Sequence, residues 1–122
     1  MRLRNAFLTY ILIGIHNNEN FTYARAALIP SLKISLLVKS KAQEIKCTEI
    51  LDHEYTLDLN ELGTIKINSL CVADIIAIFD GRRKLRLVLY IVEDNVLRRI
   101  ACEAILGADA LQLLELLYGT IK

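Results

Sequence analysis

Ala27-Leu28-Ile29-Pro30-Ser31-Leu32-Lys33-Ile34-Ser35-Leu36-Leu37 is the stretch on which the reading of this chain turns. Two apolar runs, Ala26 to Ile29 and Ile34 to Leu37, flank the tetrad Pro30-Ser31-Leu32-Lys33. Upstream, Phe7 to Ile15 is rich in β-branched and aromatic residues, as a strand would be. The polar, Asn-rich segment 16–20 then turns the chain into Phe21 to Ile29. The expectation is a hairpin whose second strand delivers the tetrad.

Downstream, Ser40-Lys41-Ala42-Gln43 has capping-box spacing and predicts a two-turn helix ending near Lys46, with Ser40 as its N-cap. From Tyr55, polar and apolar residues alternate through Leu57 and Leu59, and again through Ile65 and Ile67 after Gly63. That period of two predicts a second hairpin with a polar tip at 60–63. Val72 to Phe79 and Leu85 to Val92 predict a third, joined at Asp80-Gly81. Both are apolar on both faces, which places them inside a closed or covered sheet. Glu93-Asp94-Asn95 ends that pair, Ile100 to Leu106 reads as another strand, and Gly107 stops it. Ala108 to Leu114 or slightly beyond predicts a helix, with Asp109 suited to the positive end of its dipole.

The chain has 122 residues, enough for one domain with a real core and too few for two. A hydrophobic fraction of 54% and only 6 Pro and Gly residues together exclude a disordered tail or linker. With 15 basic and 14 acidic residues, net charge is +1, so no global field attracts nucleic acid or anionic lipid. The dense basic run Arg82 to Arg86 reads as a solvated hairpin tip, and no aromatic residues interleave with it for base stacking. Cys47, Cys71 and Cys102 form an odd set without Cys-x-x-Cys spacing, which argues for a reducing cytoplasm and against a disulfide framework or thiolate zinc site. Arg2 and Arg4 before the apolar run Ala6 to Ile15 imitate a short signal peptide, but Thr9 and Tyr10 interrupt the run and no small-residue cleavage site follows. The run is about half the length of a membrane-spanning helix, and it is read as a buried strand.

Two segments together resemble the retropepsin-like aspartic proteases. The apolar frame around Pro30 is similar to the one that holds Asp-Thr-Gly-Ala in that family, with Pro30-Ser31-Leu32-Lys33 standing in its place. The second, Ile105-Leu106-Gly107-Ala108-Asp109-Ala110-Leu111, resembles the segment that opens the family's C-terminal helix. Residues 30 and 105 are 75 apart, which suits one such protomer, and the order of hairpins agrees across roughly residues 5 to 121. The resemblance implies an all-β fold, a small closed barrel with a short C-terminal helix, filling residues 1–122 as a single domain.

It further implies a homodimer joined through terminal segments, in which each protomer would give one aspartate to a shared dyad. Pro30 can be neither the base nor the acid of such a dyad, so the implied scaffold has lost its chemistry. Ser31 keeps the hydroxyl that the family's Thr uses to hold two loops together. Leu32 replaces a glycine that lets the substrate backbone approach. Lys33 replaces a small residue and would either sit near a dimer axis, where an anion could bridge two copies, or point to solvent.

Asp74 and Asp109 are the acids that a relocated site would use. Asp80 beside Gly81 is explained by turn chemistry, and Asp109 by its place at a helix start. Asp52-His53-Glu54 offers metal-ligand types, but neighbours on an extended chain alternate faces. His16, Ser35 and Ser40 lack any relay or nucleophile pattern. The functional expectation is a non-catalytic binding or interaction module: self-association, an extended peptide or protein as ligand, no cofactor, no metal, no nucleic acid and no membrane. A hydrolase with a relocated acid and a purely structural subunit are the alternatives. Leu113, Leu114, Leu116 and Leu117 motivate the last, since they exceed what one face of a short helix buries.

Overall fold

A computed structural model describes residues 8–59, 63–78 and 80–111 of the chain. Chain order is β1 (Thr9–Asn17), β2 (Asn20–Leu28), β3 (Ser35–Val38), α1 (Lys39–Glu44), β4 (Glu49–Asp58), β5 (Thr64–Ala77), β6 (Asp80–Val92), α2 (Asp94–Arg98), β7 (Ala104–Leu106) and a 3-10 turn at Ala108–Ala110. One sheet runs β1-β2-β7-β3-β6-β5-β4, and β1 also pairs with β5. That extra pairing closes β1, β2, β7, β3, β6 and β5 into a six-stranded barrel and leaves β4 outside the ring. A closed barrel is therefore present, as expected, in a fold that is mostly β with a few short helices and not all-β.

Alternation of side chains explains how so short a chain fills two cores. On β3, Leu37 points into the barrel and Leu36 outward; on β7, Ala104 and Leu106 point in and Ile105 out; on β2, Ala26 and Leu28 point in and Ala27 out. Ile13, Ile15, Cys71, Ile75, Leu87 and Leu89 complete the interior. The outward set joins Ile29, Val38, Val92, Leu97 and Cys102 in a second cluster, roofed by Leu59, Ile65 and Ile67 of the β4–β5 hairpin. Strands β3 and β7 and the end of β2, from Ala26 to Leu28, are thus buried on both faces, which is why these segments read as continuous apolar runs.

The first hairpin is tighter than segment 16–20 suggested: Asn17 pairs with Asn20, and Asn18 takes a left-handed conformation (φ 55) at the turn. Helix α1 starts at Lys39 with Val38 as N-cap, so the expected Ser40 cap is not used. Instead the Asp94 carboxylate accepts the Ser40 amide at 3.0 Å, a cap supplied by the first residue of α2. Burial alone would raise the Asp94 pKa, but the Ser40 bonds and the Arg98 and Lys39 charges outweigh it and hold the group below its ordinary value. Residue Lys46, also left-handed (φ 54), ends α1 and turns Cys47 back toward β5.

Four further expectations are corrected. The strands expected at 65–68 and 72–79 are one strand, β5, because Asn68 and Ser69 continue the alternation instead of breaking it; Ser69 is itself buried. That strand serves the hairpin at its start and the barrel at its end. The third turn comes earlier than Asp80-Gly81, since Asp80 already pairs with Ala77 and belongs to β6. The strand expected from Ile100 begins only at Ala104, because Asp94–Arg98 forms α2, with an acid in its first turn and Arg98 in its last.

Cysteine usage is the fourth correction: Cys47 and Cys71 form a disulfide with Cα atoms 5.1 Å apart. It joins the end of α1 to β5 and encloses the whole β4–β5 hairpin. Cys102 is a free, buried thiol, and burial, only partly offset by the Ala27 and Ala104 amides, pushes its pKa from 9.0 up to about 11. Iodoacetamide at neutral pH should therefore leave Cys102 unmodified until the protein is unfolded, as mass spectrometry would read. The raised value also contributes stability that is full below pH 9.0 and is lost as pH rises toward about 11.

Among the described residues no helix is long and apolar enough to cross a membrane. The terminal segments expected to join two protomers, the four leucines from Leu113 to Leu117, and most of the helix expected over 108–114 lie outside the described residues.

Candidate functional site

The tetrad sits on a crossing of chain segments. Strand β7 lies between β2, to which it is parallel, and β3, to which it is antiparallel, so it threads the space between the two arms of the Pro30 loop. The Ile29 amide donates to the Leu106 carbonyl at 3.0 Å, and Ile105 pairs with both Ala27 and Leu36. The two sequence segments singled out, around Ile29 and around Ile105, are brought together here.

Within the loop, the Leu32 amide donates to the Ile29 carbonyl at 3.0 Å, a β-turn with Pro30 at its second position, where a fixed φ is favourable. Pro30, Ser31 and Lys33 are exposed, while Leu32 is half-buried against the second cluster. Lys33 points to solvent in the protomer, the plainer of its two expected placements. No carboxylate belongs to the loop.

Behind the loop lies a small polar network that decides its shape. Ser35 is fully buried; its hydroxyl donates to Asp109 Oδ1 at 2.6 Å and accepts the Gly107 amide at 3.0 Å. The Ser35 amide donates to Asp109 Oδ2 at 3.1 Å. Both oxygens of Asp109 are thus committed to one residue, and the Ala108 amide reaches the Leu32 carbonyl at 2.6 Å. Gly107 is needed for space rather than for its φ of −96: a Cβ there would strike the carbonyl oxygens of Ile34 and Leu32. Ser35 was passed over in sequence because it matches no nucleophile motif. Its signal was a lone hydroxyl in an apolar strand, which needs a buried partner.

Asp109 is therefore a clamp on the loop. Asp109→Asn should lower stability by about 1–3 kcal/mol, since one buried Ser35 donor loses its charged acceptor, and should leave any ligand binding at the loop intact in the folded fraction. Chemical denaturation paired with a binding isotherm checks this. Loss of a hydrolytic activity at unchanged stability would instead make Asp109 catalytic.

The other acids are elsewhere. Asp74 faces the outside of the barrel and pairs with Arg86 at 3.4 Å. Asp52, His53 and Glu54 lie on exposed β4, where five residue steps from Ile50 to Tyr55 face only two on β5, from Ser69 to Ile67. Glu54 pairs with Lys66 at 3.9 Å, and no cluster of His, Cys, Asp or Glu suited to a metal exists among the described residues.

No protein-family model matches the chain, and no curated protein matches it in sequence.

Proposed function

We propose that this chain is a retropepsin-like protomer without proteolytic activity, working as a homodimeric module that binds an extended peptide or protein segment. The observation that carries the reading is the crossing at Ile29–Leu106, with a loop of four residues presented in front of it and no acid in that loop. The order of hairpins and the Gly107-to-Asp109 lock behind the loop support the same plan. Main-chain hydrogen bonds can hold an extended ligand without hydrolysis.

A relocated acid is the weaker reading, because Asp109 is committed to Ser35 and Asp74 to Arg86. Exposed Ser31 and Lys33 are the side chains that would meet a ligand at the loop. A cytoplasmic setting requires the Cys47–Cys71 pair to be reduced, with three titratable thiols in freshly lysed cells; an oxidising compartment leaves Cys102 alone.

The test is a library of extended peptides measured for binding and for cleavage between acid and neutral pH. Saturable binding with intact peptide, weakened by Lys33→Glu, is expected. Hydrolysis at any pH, or no binding to any member, defeats the proposal.

A further inference from the structure

At the start of β2 the sequence Asn20-Phe21-Thr22 has the acceptor spacing for an asparagine-linked glycan, Asn-x-Ser/Thr with x other than proline. The chain has 7 asparagines, and Asn20 alone has Ser or Thr two residues on. The spacing by itself is common; its place in the fold gives it weight.

Three features of that place suit an acceptor. First, the turn residues Asn18 and Glu19 are exposed, and Asn20 follows them, partly exposed, at the end of the β1–β2 ladder. This tip extends past the strands on either side, since β5 pairs with β1 only as far as His16 and β7 meets β2 only from Ala26. A bulky sugar attached there has solvent to occupy. Second, the nitrogen that a sugar would join is uncommitted. Across the ladder, Asn17 gives its side-chain amide to the Ile45 carbonyl at 3.2 Å, whereas among the described residues the Asn20 side chain makes no hydrogen bond. Third, the Cys47–Cys71 disulfide suits the oxidising compartments reached by export, where glycans are transferred to asparagine.

We infer that Asn20 is an N-glycosylation site, modified before the barrel closes. The timing follows from Thr22, whose hydroxyl the transferase has to engage. In the folded chain Thr22 is only 4% exposed, and its hydroxyl donates to the Tyr23 carbonyl and accepts the Lys41 ammonium, both at 3.4 Å. That hydroxyl is available only while β2 is still unpaired. In the transfer, the Asn20 side-chain nitrogen bonds to the anomeric carbon of a lipid-phosphate-linked oligosaccharide. The carbon–oxygen bond to phosphate breaks, the lipid phosphate leaves with the electron pair, and the amide proton passes to a base of the transferase. Asn20 and the Pro30 loop lie at opposite ends of β2, and the inference does not rest on the function proposed for that loop.

Intact-mass spectrometry of the full chain, purified from the cells that make it, tests the site. A mass above the 13.8 kDa of the bare chain is expected, lost on treatment with a peptide N-glycosidase that leaves its deamidation mark at position 20. Asn20→Gln should abolish the excess, and Thr22→Ser, which keeps the hydroxyl, should retain it; circular dichroism confirms that both variants fold. The bare chain, folded and then offered to membranes carrying the transferase and its lipid-linked sugar, should stay unmodified. A bare mass in the native protein, or an excess that survives Asn20→Gln, overturns the site. Glycan added at Asn20 of the folded chain overturns the order of events.

Discussion

Gly107→Ala should destabilise the protein by about 3 kcal/mol or more, among the largest effects a single methyl group can have. The added carbon would meet two backbone carbonyl oxygens, those of Ile34 and Leu32, and backbone cannot swing aside as a flexible side-chain tip can. Relief requires the loop to move away from β7, which breaks the Ala108-to-Leu32 bond and draws Ser35 off Asp109. A fall in melting temperature of about 10 °C or more is the expected reading. Gly14→Ala is the control, because only the movable ring of Phe21 and the end of Ile78 stand in its way. If the two substitutions cost the same, the tight crossing behind the Pro30 loop is wrong.

Replacing Cys47 and Cys71 together by serine should cost a similar amount for a different reason. The bond spans 24 residues of sequence, and freeing a loop of that size returns about 3.5 kcal/mol of entropy to the unfolded chain. Cys71 is fully buried, so the serine there also loses apolar packing. Hydrogen exchange should show where the loss is felt. The β4–β5 hairpin, enclosed by the bond, should open at lower free energy than β3 and β7, which are buried on both faces. Equal loss of protection throughout the barrel would show that the bond tethers the whole fold and not the hairpin.

Legibility in the sequence followed the range of the interactions. The strands of the first hairpin and the alternation on either side of residues 60–62 are local patterns and are present, whereas the turn positions and the division of β5 are not as read. The Gly107-Ala108-Asp109 segment was legible as a stop followed by a start. Its partner Ser35, 74 residues before Asp109, was not, because nothing local distinguishes a clamped hydroxyl from an idle one. The alternating run through Ile67 and the apolar run from Val72 read as separate strands, yet burial of Ser69 carries β5 straight from one into the other. Glu93-Asp94-Asn95 was read as a terminator, when the acid at Asp94 both opens α2 and caps α1. An odd cysteine count concealed a pair, since parity carries no information about which two sulfurs the fold brings together. As for the loop, its lack of any carboxylate between Pro30 and Lys33 was plain from the first reading, whereas the turn that exposes Pro30 and Ser31 depends on contacts with β7.

Strand β4 has a consequence for a chain more than half apolar. It lies outside the ring and pairs with β5 alone, so its other side is a place where a neighbouring molecule's backbone could begin to stack. That rim carries Glu49, Asp52, Glu54 and Asp58 with no lysine or arginine, and the three surplus residues between Ile50 and Tyr55 throw its carbonyls out of line. Crowding of negative charge and a broken spacing both hinder fibre growth. The least buried strand of the fold is thereby a guard, and it lets the rest of the sequence be as greasy as its two cores require.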